Sequence, residues 1–185
     1  MGEPAPRLWT VGHGARPLDA FVAVLASARI AVVVDVRRFP GSRRHPQFGR
    51  EALAAGLAAA GTGYEWRGEA LGGRRSRSPG SRHGALREAA FGRYADHMDT
   101  AGFRTGVDAL LARARGGEKM AVMCAETLWW RCHRRMIADA LTLRGASVTH
   151  LLDVDRSEPH RLHPTARRGD DGWPVYDVPD TLPGM

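Results

Sequence analysis

Long apolar runs are missing from this 185-residue chain. Its uninterrupted apolar stretches, Ile30–Val34 among them, are strand-sized and fall far short of the ~20 residues of a membrane-spanning helix. No charged segment followed by an apolar stretch and a cleavage site opens the chain, and two cysteines, Cys124 and Cys132, cannot build a disulfide framework. These absences predict a cytoplasmic protein with reduced thiols and no membrane partner. Lysine is nearly absent too: Lys119 is the sole lysine among 27 Lys+Arg, so the net charge of +7 rests on arginine. Arginine offers a planar donor fork suited to carboxylates and phosphates, which points to anionic partners, although a codon bias toward arginine would give the same composition. Cys-x2-Cys and His-x3-His spacings are lacking, which weakens a zinc reading. No recognition-helix, zinc-finger or RNP pattern names a nucleic-acid module.

What is present alternates strands with helices. Leu8–Val11 reads as a strand stopping at Gly12-His13-Gly14, and Leu18, Phe21, Val22, Leu25 and Ala28 share one helical face behind Pro17. Ile30–Val36 is apolar on successive residues, the pattern of a central parallel strand, with Asp35 and Arg37 at its far end. A basic loop, R-R-F-P-G-S-R-R-H-P-Q-F, follows. Helices are expected at Glu51–Ala60, Leu86–Met98, Phe103–Arg115 and Trp130–Leu143, and strands at Tyr64–Arg67, Met120–Met123 and Val148–Leu152. Residues 70–84 form a basic loop, a lid candidate or a solvated insertion. Residues 1–7 read as a flexible lead-in, and residues 154–185, with five prolines, as a tail that is draped on the domain or disordered. The expected fold is α/β: a single domain over residues 8–153 with a mostly parallel sheet, helices on both faces and a loosely rhodanese-like layout. In such sheets ligands bind beyond the C-terminal strand ends, which places His13, Arg37 and Cys124 on one rim.

The stretch M-A-V-M-C-A-E-T-L-W-W-R-C-H-R-R-M-I-A-D carries the densest chemistry. A thiol delivered by a strand to a helix N-terminus, with Arg131, His133 and Arg134 nearby, predicts a Cys124 pKa below the usual ~8.5, with Glu126 acting against the shift. Cys132 follows after seven residues and could be a resolving thiol, a redox partner, a metal ligand or a packed core side chain. His133 is in line with Ile137 and Leu141, which suits a core-facing histidine as well as a ligand. A metal site would draw on Cys124, Cys132, His133 or His13, and Glu126. Arg131 follows Cys124 after six residues, with Trp130 at the fifth-plus-one place where a cysteine phosphatase has its arginine, so that cradle is not expected. Trp129-Trp130 could stack a planar ligand or cover a core edge.

The blocks T-V-G-H at 10–13, V-D-V-R-R-F-P-G-S-R-R-H-P-Q-F at 34–48, L-G-G-R-R at 71–75, R-Y-A-D-H-M at 93–98 and M-C-A-E-T-L-W-W-R-C-H-R-R-M-I-A-D-A-L at 123–141 together resemble the bacterial and archaeal family catalogued as domain of unknown function 488. The resemblance spans about residues 8–153. It implies a small cytoplasmic protein with two characteristic cysteines, and it maps family motif positions onto His13, Asp35, Arg37, Pro40, Ser42, Cys124, Glu126, Cys132, His133 and Arg134. Gly14 departs from the serine the family usually has there.

These readings predict a cysteine-centred, arginine-lined site for an anionic small molecule or a phosphate-containing ligand, with sulfur or thiol transfer by a cysteine-dependent transferase as the expected chemistry. In it Cys124 is nucleophile or sulfur carrier, Cys132 resolves, His13 or His133 moves protons, and Arg37, Arg38, Ser42, Arg43, Glu126, Arg131 and Arg134 contact ligand. Two alternatives stand beside it: nucleic-acid binding through Arg37, Arg38, Arg43, Arg44, Arg74 and Arg75, and a metal site with Cys/His ligands. No motif names a cofactor, a substrate or an oligomeric state.

Overall fold

The structure is a computed structural model that describes residues 4–41, 43–76 and 78–177. Strand β1 (Arg7–Gly12), helix α1 (Leu18–Ser27), β2 (Val32–Asp35), α2 (Arg50–Ala59) and β3 (Gly63–Trp66) come first. A short α3 (Gly68–Leu71), α4 (Ala89–Met98), α5 (Ala101–Arg115), β4 (Met120–Cys124), α6 (Arg134–Leu143) and β5 (Ser147–Asp153) follow. The sheet runs β3-β2-β4-β1-β5, all parallel, and is closed by an antiparallel edge strand β6 (Arg156–Pro159). The fold is thus α/β, mostly parallel and a single domain. No helix among the described residues is long and apolar enough to cross a membrane.

Strand alternation sorts the core into two layers. Leu8, Val34, Val36, Met120, Val122, Cys124 and Val148 face α4, α5 and α6, while Trp9, Val11, Val33, Ala121, Met123 and Leu151 face α1 and α2. Helix spacing supplies the matching stripes: Phe91, Tyr94, Ala95 and Met98 on α4, and Phe21, Val24 and Leu25 on α1, are buried. Thr100 caps α5 by accepting the Phe103 N–H at 3.3 Å.

Two expectations change. The helix expected from Trp130 begins at Arg134. Trp129–Arg131 is a separate 3-10 turn and Cys132 is extended (φ −131°, ψ 152°), because Trp129 turns away to stack on His150 with ring centroids 4.0 Å apart. Beyond residue 153 the chain adds β6 to the sheet and then a hairpin, β7 (Ala166–Arg168) with β8 (Pro174–Tyr176), whose Trp173, Val175 and Tyr176 are buried. Prolines made this stretch read as a tail. Pro159 ends an edge strand, where a missing N–H breaks no ladder, and the hairpin is held by side-chain burial.

Candidate functional site

β4 lies between β2 and β1, with Gly12 opposite Cys124 and Asp35 opposite Met123. The three C-terminal ends are therefore level. Backbone bonds carry the register onward: His13 N–H donates to Cys124 C=O (3.1 Å), Gly14 N–H to Ala125 C=O (2.9 Å) and Val36 N–H to Met123 C=O (3.0 Å). β1 leads to a helix on one face and its neighbour β4 to a helix on the other, so a crevice opens between the departing loops. Its volume is about 480 Å³, and His13, Arg37, Arg38, Arg44, Arg74 and Cys124 are in its wall. The expected meeting of His13, Arg37 and Cys124 is observed.

A Cβ at Gly12 would lie 2.1 Å from the Glu126 carbonyl, so only glycine lets the loop after β4 cross the end of β1. Gly14 has φ +55°, and a Cβ there would stand 2.3 Å from the Thr127 hydroxyl. The Thr127 side chain thus occupies the space that a residue-14 side chain would need.

Arg37 is 7% exposed and fully engaged. Its Nε–H and Nη2–H fork onto Asp35 at 2.9 and 2.6 Å, and Nη1 donates to the Phe48 carbonyl (2.8 Å) and to His13 Nε2 (3.2 Å). This guanidinium braces the rim from below. His13 must then be the Nδ1–H tautomer: Nδ1–H donates to the Gly14 carbonyl at 2.8 Å and Nε2 accepts from Arg37. Burial is the main reason its pKa falls from 6.5 to about 4, the Arg37 charge adding to it against the Gly14 hydrogen bond. His13 is a neutral imidazole stacked on Phe48, with centroids 4.1 Å apart.

Cys124 and Cys132 are free thiols, and their sulfurs and a His133 ring nitrogen all lie within 4.8 Å of one another. His133 Nε2–H donates to the Val36 carbonyl at 3.2 Å, which leaves the Nδ1 lone pair toward Cys132 Sγ at 3.5 Å. The first N–H of α6, from Arg134, also reaches Cys132 Sγ at 3.5 Å. The expected acidity is therefore reversed. Cys124 donates its S–H to Cys132 and is buried, and both effects push it up to about 12. Burial alone would raise Cys132 as well. The Cys124 hydrogen bond, the Arg134 charge and the Arg134 backbone N–H outweigh burial and bring it down to about 6. The two sulfurs behave as one unit holding a single proton. The start of α6 at Arg134 is the reason, since it aims the helix N-terminus at Cys132 and away from Cys124.

The remaining expected residues divide. Arg38, half-buried, reaches across the crevice to donate to the Arg74 carbonyl at 2.8 Å. Arg43, Glu126 and Arg131 are exposed and outside the crevice wall. Ser42 lies outside the described residues. Arg134, 1% exposed, is no ligand clamp: it holds the Glu126 and Thr127 carbonyls and Thr10 Oγ1 in place. Arg75 is likewise taken up by the carbonyls of Gly68, Glu69 and Gly72. The two tryptophans are elsewhere, with Trp129 Nε1–H donating to Glu158.

One polar structure escaped the sequence reading. Asp139 accepts His160 Nε2–H (2.8 Å), the Tyr176 hydroxyl (2.8 Å) and the His163 N–H (3.0 Å). A carboxylate only accepts, so a neutral His160 presents Nδ1 to His150 Nε2–H at 2.9 Å. His150 Nδ1 in turn accepts the Thr10 hydroxyl at 2.7 Å, and Thr10 accepts Arg134 Nη1–H at 3.3 Å. Every donor in this chain points from the Arg134 cation to the Asp139 anion. Burial, then the neighbouring His160 and Arg134, lower His150 to about 2. The one local signal was polar residues, Thr10 and His150, inside otherwise apolar strands.

Residues 17–141 match the family model described as domain of unknown function DUF488. No curated protein and no solved structure matches.

Proposed function

The chain belongs to the DUF488 family, and from that premise we propose that its crevice is a thiol-transfer site for a small anion carrying a reactive sulfur–sulfur bond. The observation that carries this reading is the placement of the pair: Cys124 forms part of the crevice wall, while Cys132 stands behind it with its sulfur 3.5 Å from the Arg134 N–H, and the two sulfurs and a His133 nitrogen lie within 4.8 Å of one another. Moving the pair's single proton from Cys124 to Cys132 puts the thiolate at the crevice. Cys124 then attacks the nearer sulfur of a substrate disulfide, whose S–S bond breaks, and the first thiolate leaves with the electron pair. Cys132 gives its proton to His133 Nδ1 and attacks Cys124, expelling the second thiolate. The protein is left with a Cys124–Cys132 disulfide and the substrate reduced to one thiol, protonated from His133, and one thiolate, which takes its proton from water; an external dithiol restores the pair. Arg38, Arg44 and Arg74 supply the charge that draws an anion.

The test is alkylation of the folded protein across pH, read by mass spectrometry. The pair, losing its first proton through Cys132, should give the alkylation profile an inflection near pH 6, and Cys132→Ser should remove it. A Cys124 that reacts no faster at neutral pH than a free thiol sinks the reading.

His133 favours a second reading. A histidine that fixes one N–H on a backbone carbonyl and turns its other nitrogen toward two thiols has the outer-shell arrangement usual for a metal ligand. Zinc or iron would suit two sulfurs and a nitrogen. Metal should then copurify with the protein, and Cys124→Ser, Cys132→Ser and His133→Ala should each lose it.

A further inference from the structure

The crevice offers more than charge. Phe39 is 66% exposed, the most exposed large apolar side chain among the described residues, and it belongs to the crevice wall. A single exposed phenylalanine is ordinary on a protein surface. This one is held: the Arg38 guanidinium stands 5.5 Å from its ring, and the same guanidinium donates to the Arg74 carbonyl at 2.8 Å, which ties the two basic loops together. Arg74 has φ +58°, a strained backbone state for a residue with a side chain and one that clusters at ligand sites. Among the described residues, neither the Arg44 nor the Arg74 guanidinium has a hydrogen-bond or ion-pair partner. They contrast with Arg37, Arg75 and Arg134, whose guanidinium groups are held by carbonyl, carboxylate or hydroxyl oxygens of the chain itself. A volume of about 480 Å³ is in the range of sites that enclose a whole small molecule, well beyond what one oxyanion fills.

We propose that the crevice takes a mononucleotide-sized anion, a planar ring lying on Phe39 beside Arg38 and a phosphate held by Arg44 and Arg74. This rests on the reading of the crevice as an anion site. The ring and the oxyanion are recognised by separate side chains, so each can be removed alone. Stacking is tolerant of ring identity, which leaves the selection of a particular base to contacts at the crevice floor around His13.

The test is calorimetric titration of the full chain with inorganic phosphate, phenyl phosphate, adenosine and adenosine 5′-monophosphate, with protection of Cys124 from alkylation as a second readout. The two ring phosphates should bind at least about 10-fold tighter than inorganic phosphate, and Phe39→Ala should abolish that gain while phosphate affinity stays the same. Arg44→Ala and Arg74→Ala should weaken phosphate and ring phosphates alike. Ring phosphates that bind no tighter than phosphate, or a Phe39→Ala variant that weakens both equally, overturn the ring proposal and leave the anion site standing. Adenosine binding as well as its monophosphate would overturn the phosphate half. If neither phosphate nor monophosphate binds or protects Cys124, the anion reading falls with it. A single-stranded oligonucleotide that binds with steep salt dependence and displaces the monophosphate would make the partner a polymer, against the proposal.

Discussion

Arginine and histidine are used twice around the end of β1, in opposite ways. In the chain from Arg134 through Thr10, His150 and His160 to Asp139, each bond is closed and the ends are a buried cation and a buried anion. In the crevice beyond the end of the same strand, Arg44 and Arg74 are exposed and unpartnered among the described residues, and Phe39 projects into solvent. The first arrangement resembles the polar interior that proteins use to fix one structure, since removal of any member strands its neighbours. The second holds donors in reserve for something outside the chain. Residue type alone does not separate the two groups here; burial and engagement by the chain's own oxygens do.

Acid should break the contrast first and most. Burial lowers His13 and His97 to about 4 and His150 to about 2, and it lowers His83 and His163 as well. The unfolded chain takes up these protons near pH 6.5 while the folded protein refuses them. Stability is therefore whole above pH 6.5 and is lost as pH falls toward the folded values, His13 and His150 each adding up to about 1.4 kcal/mol per pH unit. Urea midpoints measured from pH 7 to 4 should fall steeply. His150→Gln and His13→Gln should each flatten the profile over that range, and a profile that stays steep in both variants would remove these two histidines as its cause.

Asp139→Ala comes next, because it leaves the His160 and His163 N–H groups and the Tyr176 hydroxyl without their acceptor in a buried place. A loss of about 3–5 kcal/mol is expected from urea unfolding. A neutral result would mean that the chain is not the closed structure described.

The cysteine pair should give a smaller, two-signed effect. Cys132 falls from an ordinary value near 9 to about 6, so its contribution grows as pH rises from 6 to 9; Cys124 rises to about 12, so its share is lost between 9 and 12. Stability relative to the Cys124→Ala/Cys132→Ala double variant should peak near pH 9. Smallest of all is the effect of Arg44→Ala with Arg74→Ala on folding, within about 0.5 kcal/mol by the same urea measurement. The same pair of substitutions should abolish anion protection of Cys124. Such a split between binding and stability would sharpen the comparison; a large loss of stability would erase it.

Legibility in the sequence followed range. Apolar succession in Ile30–Val36 announced a central strand, and β2 pairs with β3 and β4 in parallel. The Gly-His turn after β1 and the cysteine ending β4 announced a shared rim, which the Gly12–Cys124 register provides. Arg134 and Arg37, by contrast, looked like ligand contacts beside Arg38, because nothing nearby in sequence tells a guanidinium roofed by loop carbonyls from one facing solvent. The prolines between 159 and 183 masked an edge strand and a buried hairpin for a similar reason: Trp173 and Tyr176 make their case only against α5 and α6.

The sequence by itself therefore determined what repeats every two or every few residues: the strands, the helix stripes, and the face of the sheet to which Cys124 belongs with Met120 and Val122. Tertiary structure alone decided where charge resides. Thr10 meets His150 across 140 positions, and His133 meets Val36 across 97. The start of α6 four residues later than its pattern suggested moved the acidic thiol from Cys124 to Cys132. Ionisation answers to burial and to neighbours within a few ångströms, and the fold chooses those neighbours from distant parts of the chain.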